Sequence, residues 1–424
     1  MTTRFRASAD SVDVTPPEGF PLGGYILRSG VSEGVLDPIY ARLLFLAVGD
    51  DALLLISLDW VYIDDRWARG VKAAAAKALG IDGDRVIITA THTHSGPGVF
   101  KSFITKEHQE AAYLSGVSGR IVGAAGRLPA AARDVTPLLG STQVVGLGAH
   151  RNDPALPVDD ELSVLTLGGS NGGAVGRIVT YGCHPTVLGP ENLRFSADWI
   201  GWGLAAVDRQ LGGLSLFING AAGDVSTRFV RKGRNLQEMK RYADIFRETV
   251  LKAESGPIPL SGNEIEVRTT RVPVRYRDLP GREEAERALF AVEKEIDDAR
   301  GRGAAPGEIR RLESIREGAM VSLFFTSGGG FEEILGKRVM TAVVVLVRVG
   351  SMGMIFFPGE VMSETAISLK ATAKGPLAVC GYANDYFGYL NRASGGYESS
   401  MALLSPDSIN EIIDAARRLV GEQA

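Results

Sequence analysis

His92 and His94 stand in the run Thr91-His92-Thr93-His94-Ser95-Gly96-Pro97-Gly98, and they are two of only five histidines in the 424-residue chain. The residues before them, Arg85-Val86-Ile87-Ile88-Thr89-Ala90, are β-branched and apolar, and the Gly-Pro-Gly that follows stops a strand. In extended backbone, residues two apart project to the same face, so both rings can reach one point. Neutral imidazole is the commonest protein ligand for zinc and similar ions, and core packing has no use for two histidines beside such a turn. The competing reading is a pair of partly solvated loop histidines.

Four other places repeat the pattern of a strand that ends on reactive side chains. His184 follows Val179-Thr180-Tyr181-Gly182-Cys183, with Pro185 fixing the chain beyond it. A lone histidine is more often structural than a ligand. In Asn219-Gly220-Ala221-Ala222-Gly223-Asp224-Val225-Ser226, small residues let a substrate approach the backbone and its N–H groups, although a tight structural turn has the same composition. Glu360 closes the apolar run Met354-Ile355-Phe356-Phe357-Pro358-Gly359, where it could serve as a ligand or charge the first turn of a helix. The tyrosine-rich Gly381 to Tyr389, followed by Tyr397-Glu398, could be chemistry or packing.

The elements that must position these residues alternate between strand-like and helix-like, the pattern of α/β architecture with mixed sheets covered by helices. Strands are expected at 40–48, 52–58, 85–90, 138–145, 162–167, 176–181, 214–219 and 377–383, with 339–357 forming two adjacent strands. Helices are expected at 64–79, 106–132, 197–211, 236–253 and 361–373, and a terminal one begins at Ser405-Pro406, where serine caps and proline starts the first turn. Between Arg282 and Glu317, sequence rich in Glu, Arg, Lys and Ala is split by Gly301 to Gly307, which reads as an αα-hairpin insertion. No strand precedes those glycines and no Lys-Ser/Thr follows, so they do not read as a phosphate loop.

A formal charge of −4 with mixed signs along the chain gives no reason to expect a nucleic-acid partner. No segment reaches the roughly 20 apolar residues that span a bilayer, so no integral membrane segment is expected, and no signal-peptide-like stretch opens the chain. These features point to a cytoplasmic enzyme with a small-molecule substrate. Two cysteines, Cys183 and Cys380, are too few for a disulfide framework.

Taken in order, the segments THTHSGPG, CHPT, NGAAGDVS, FPGE and ANDYFGY, with the start VDVTPP, resemble the catalytic domain of the neutral and alkaline ceramidases. The resemblance covers most of the chain and implies a single catalytic domain over 1–424, without the additional C-terminal β-sandwich domain of that family. It implies zinc as cofactor, with His92, His184, Glu360 and Tyr389 as ligands and Tyr386 competing with Tyr389. It places His94 against the reacting carbonyl, Arg151 and Ser226 along the substrate, and Tyr397 as a second tyrosine beside the metal. The stretch from Tyr389 to Tyr397 is shorter than the family's, and Ser226 continues as Thr227-Arg228 where the family usually has Pro-Asn.

Such a ligand set leaves zinc able to activate water near neutral pH and to polarise a carbonyl. The resulting oxyanion could be stabilised by His94, Tyr397 or the N–H groups of Gly220 to Gly223. No Gly-x-Ser-x-Gly elbow occurs, so a serine triad has no support. The expected reaction is hydrolysis of an amide, or N-acyl, bond. The alternatives are a hydrolase of a small polar lactone or cyclic ketone on the same scaffold, and a metal-binding protein without catalysis. Val99, Phe100 and Phe103 could line an acyl channel or simply pack.

Overall fold

The computed structural model describes residues 4–26, 28–99, 107–170, 172–335, 340–392 and 396–421. The chain divides into two compact units, Met1–Thr270 with Val343–Tyr386 and Ala416–Ala424, and Arg271–Ala342 with Phe387–Ala415.

In the first unit, strands β1 (Phe5–Asp13), β2 (Tyr40–Val48), β3 (Asp51–Leu58), β4 (Val86–Ala90), β5 (Arg133–Gln143), β6 (Glu161–Gly169), β7 (Ala174–Tyr181) and β8 (Leu214–Asn219) form a mixed sheet in the order β4-β3-β2-β1-β5-β6-β7-β8. A short segment, Ile258–Pro259, adds to β5. The interior pairs are antiparallel, whereas β3–β4 at one end and β7–β8 at the other are parallel. Parallel pairing makes the partners finish together, Leu58 beside Ala90 and Tyr181 beside Asn219.

The sheet curls so that its two ends meet. The Asn219 side-chain amide donates to Thr91 O at 2.9 Å, and Ser57 Oγ donates to Phe217 O at 2.5 Å. Gly176 belongs to this closure, because a Cβ there would stand 3.2 Å from Leu44 and 2.9 Å from Leu214 O. The ends of β4, β7 and β8 therefore open onto one place, the usual location of ligand sites in sheets with parallel strands.

Helices α1 (Asp65–Leu79) and α2 (Glu107–Ala131) cover one face. Asp64 caps α1 by accepting from Arg66 N and Trp67 N, and Gly80 ends it in the left-handed conformation. Helices α3 (Asp198–Leu211) and α4 (Leu236–Ala253) bury Trp199, Tyr242 and Phe246 against β7 and β8. A second sheet, β9 (Ile265–Pro273), β10 (Thr341–Val349), β11 (Met352–Phe356) and β12 (Leu377–Cys380), buries Val345, Val347, Met354 and Phe356 with Leu44, Leu55 and Ile178 of the first. Here too β11 and β12 are parallel and finish together, Phe356 beside Cys380.

The αα-hairpin of the second unit consists of α5 (Arg282–Gly301) and α6 (Pro306–Ser327), packed through Val292, Ile296, Ala299 and Leu312. Its second helix runs ten residues past the expected Glu317, carrying the single Gly318 in its interior and ending before Gly328 and the two glycines that follow it.

Strands β1 and β9 are found where sequence reading marked none. The expected strand 138–145 begins earlier, at Arg133, and that at 377–383 stops at Cys380. Both cysteines are buried and unpaired. No helix among the described residues is long and apolar enough to cross a membrane.

Candidate functional site

His92 and His94 lie beyond the end of β4, and the backbone that brings them together is not extended. His92 has φ 69°, in the left-handed region, so strand alternation is not why the two rings meet. Hydrogen bonds hold the turn instead: Thr91 N to Leu58 O at 2.8 Å, His92 N to Trp60 O at 2.9 Å and Thr93 Oγ1 to Ser196 O at 2.8 Å. The ring centroids are 4.9 Å apart.

His184 arrives from β7 through Gly182 and Cys183. The crossing with the 220–223 loop is so close that a Cβ on Gly182 would stand 2.7 Å from Ala221 O, which explains the glycine. Asn219 joins the two histidine-bearing turns. Its amide nitrogen donates to Thr91 O at 2.9 Å and Cys183 O at 3.3 Å, while its oxygen accepts from Cys183 N at 3.2 Å.

The tautomers of two histidines follow from their partners. His92 Nδ1 is 2.5 Å from Val61 O, and His184 Nδ1 is 2.8 Å from Ala222 O and 3.1 Å from Val225 O. A carbonyl only accepts, so each Nδ1 carries a proton and each ring presents its Nε2 inward. Glu360 Oε2 lies 3.3 Å from His184 Nε2 and 3.7 Å from His92 Nε2, and His94 Nε2 is 3.3 Å from His92 Nε2. The three histidines offer nitrogens within 4.8 Å of one another.

Glu360 follows β11 and is anchored from the segment after β12. Tyr382 Oη donates to its Oε2 at 3.2 Å, and Tyr386 Oη donates to its Oε1. That segment is tied back to β4 by Asn384, whose N donates to Ile88 O at 2.7 Å while its Oδ1 accepts from Ile88 N at 3.0 Å. Tyr382 also stacks on His92 at 4.2 Å.

Burial lowers the His92 pKa to about 4 against the opposing pull of Glu360, and it lowers His94 well below the usual imidazole value. Burial alone would raise Glu360, but His92, His184 and the Tyr386 hydroxyl outweigh it and hold the carboxyl at about 2. His92 and His94 are neutral and the carboxylate ionised near pH 7.

The remaining expected residues are placed as follows. Arg151 is buried and bonds by Nη1 to Gly223 O at 3.3 Å. Ser226 sits in a two-residue strand paired with Ala149–His150 and bridged to His184, its Oγ accepting from Arg228 N at 3.3 Å. Tyr389 and Tyr397 belong to the second unit, with ring centroids 5.8 Å apart. In the Gly220 to Gly223 loop, Gly220, Ala222 and Gly223 spend their N–H groups on Tyr181 O, Gly220 O and Val361 O, so these three donors are not open to an oxyanion. Val99 is buried, and Phe100 and Phe103 lie outside the described residues.

Sequence reading gives Tyr382 no role of its own within the Gly381 to Tyr389 segment, and it does not reach the Asn219 tie or the loop that carries Gly24 and Tyr25. The Tyr25 ring meets His94 edge-on at 4.8 Å. Nothing in that loop's composition marks it, since its role arises only from contact.

No protein-family model matches the chain, and no curated protein matches it in sequence. Among solved structures it superposes on neutral ceramidase from Pseudomonas aeruginosa with a TM-score of 0.74 at 17% identity, over 99% of this chain and 74% of that one. The chain has a neutral-ceramidase-like fold. A second structure, described as ceramidase complexed with C2, matches with a TM-score of 0.73 at 18% identity, over 98% of this chain and 75% of that one. On this neutral-ceramidase-like scaffold, the histidine cluster lies where the parallel strands of the first unit finish.

Proposed function

We propose that the protein is a zinc-dependent hydrolase of an amide, N-acyl, bond. The observation that carries this reading is the meeting of ligand-type atoms. The Nε2 atoms of His92 and His184 converge on an ionised carboxylate oxygen in a buried space, the donor arrangement that a bound cation would complete. The donor set of imidazoles and carboxylate suits zinc, and the carbonyl bonds to Nδ1 are the outer support that metal-bound histidines usually have.

In this reading His92, His184 and Glu360 hold the ion, and the resemblance adds Tyr389 as a longer fourth ligand. Bound there, zinc supplies a Lewis acid and an activated water. Tyr382 and Tyr386 fix the Glu360 carboxylate through their hydroxyls. His94 is kept off the ligand set. Its Nε2 faces the same point, and its neutral ring can hydrogen-bond the developing oxyanion, or take up the proton lost by the attacking water and pass it on to the leaving nitrogen. Arg151 lines the site beside Gly223, and Ser226 and Tyr397 are assigned near the substrate on the resemblance alone.

Amine release from short N-acyl amides, lost with a chelator and restored by zinc, tests the reading. Zinc-loaded protein that leaves amides intact while binding one equivalent of metal would refute the hydrolase.

A further inference from the structure

Arg28 is 6% exposed, yet its guanidinium has no carboxylate partner among the described residues. Its Nη1 donates to Gly23 O at 2.7 Å and its Nε to Pro190 O at 3.4 Å, while its Nη2 is buried without a hydrogen-bond partner. Its guanidinium carbon lies 4.9 Å from the Tyr25 ring centroid, and that same ring contacts His94.

Arg231 repeats the pattern on another loop of the site. It is half-buried, and it donates to Thr186 O at 2.9 Å, two residues from His184, and to Thr227 Oγ1 at 3.0 Å. Burial lowers the pKa of Arg28 to about 10, and both Arg28 and Arg151 act on His94 by charge, adding to burial and the neighbouring imidazoles in keeping it neutral. The acids nearby have other partners: Glu360 the histidines, Glu191 Arg234 at 3.4 Å, and Asp198, which also acts on Arg231 by charge, the backbone N–H groups of Val187, Leu188 and Trp199.

Taking a guanidinium out of water is strongly unfavourable unless an anion accompanies it, and this chain does so with Arg28, while Arg231 is half withdrawn on another loop. A planar guanidinium matches a carboxylate through parallel N–H bonds. We propose that Arg28, supported by Arg231, anchors a carboxylate of the substrate, so that the enzyme takes an anionic N-acyl compound such as an N-acyl amino acid. The inference rests on the amide-hydrolase reading of the same site. It sets the substrate apart from ceramide, which carries no anionic group to meet the guanidinium.

Kinetics of the zinc-loaded protein with hexanoylglycine and with its uncharged counterpart hexanoylglycinamide provide the test. The parent should prefer the acid in kcat/KM by tenfold or more, mainly through KM. R28M should cut that preference about tenfold with its zinc content intact, R28K should recover part of it, and R231M should lower it less. A preference that is absent in the parent, or unaltered in R28M, overturns the proposal. If neither compound is cleaved, the hydrolase reading fails separately, and calorimetry of hexanoylglycine binding still decides. Binding by the parent that weakens tenfold or more in R28M supports the anchor, and no binding or equal affinity refutes it.

Discussion

Gly24 lies so close to His94 that a Cβ on it would stand 2.5 Å from the ring's Cγ, and its φ of 99° is one that other residues rarely adopt. G24A should therefore displace the imidazole as well as strain the backbone. Gly34 is the control, with φ 129° and nothing within 4 Å of its would-be Cβ. G34A should cost only about 1–3 kcal/mol of stability, the usual range for such strain. G24A should in addition lower turnover tenfold or more. Equal activity in the two variants would show that the contact does not position His94.

Removing His184 should remove the metal, while removing His94 should not. Elemental analysis of H184A is expected to find little zinc. H94A should keep zinc at the parental level and lose about 10²-fold or more in turnover, the scale of one lost transition-state donor. Zinc loss in H94A would make it a ligand and require the roles of the three histidines to be redrawn.

Tyr386 acts on Glu360 through a single hydroxyl, so Y386F deletes one hydrogen bond and little volume. Support of this kind is typically worth about 10- to 100-fold in metal affinity. Competition with a coloured chelator should show weakening of that order in Y386F. Unchanged affinity would mean that Tyr382 suffices to orient the carboxylate.

The metal-free protein should lose stability in acid through His92. Its pKa is near 4 when folded, below the ordinary value of 6.5, so between these limits the unfolded chain binds a proton that the folded one does not. The contribution is complete above pH 6.5 and disappears as pH falls through 4, at up to about 1.4 kcal/mol per pH unit. Melting temperatures in the presence of a chelator should fall less steeply with acid in H92Q than in the parent. Parallel slopes would contradict a buried neutral ring.

Much of the site could be read from residue types, because reactive side chains follow apolar runs at His92, His184 and Glu360. Strand alternation, however, does not explain why His92 and His94 meet, because a left-handed residue at His92 makes the turn. Strand β1 escaped notice because Ser8, Asp10, Ser11 and Asp13 have little β-propensity, and its register is imposed by the apolar β2 beside it. The arginine at 28 and the glycine at 24 carry no local pattern at all. Only the closure of the fold over His94 gives them meaning, and the short intervals of the sequence do not record it.

The tie between Asn384 and Ile88 has a kinetic consequence. These residues are 296 positions apart, and the Asn219–Thr91 bond spans 128, so the turn holding His92 is stitched by partners made far later in synthesis. Contacts of such long range are slow to form, since loop entropy must be overcome before they stabilise anything. An emerging chain would thus carry both histidines of the first motif for most of its synthesis without the carboxylate or tyrosines that complete the pocket. Premature capture of a soft metal by those exposed imidazoles is discouraged less by their own chemistry than by the lateness of everything that makes them a site.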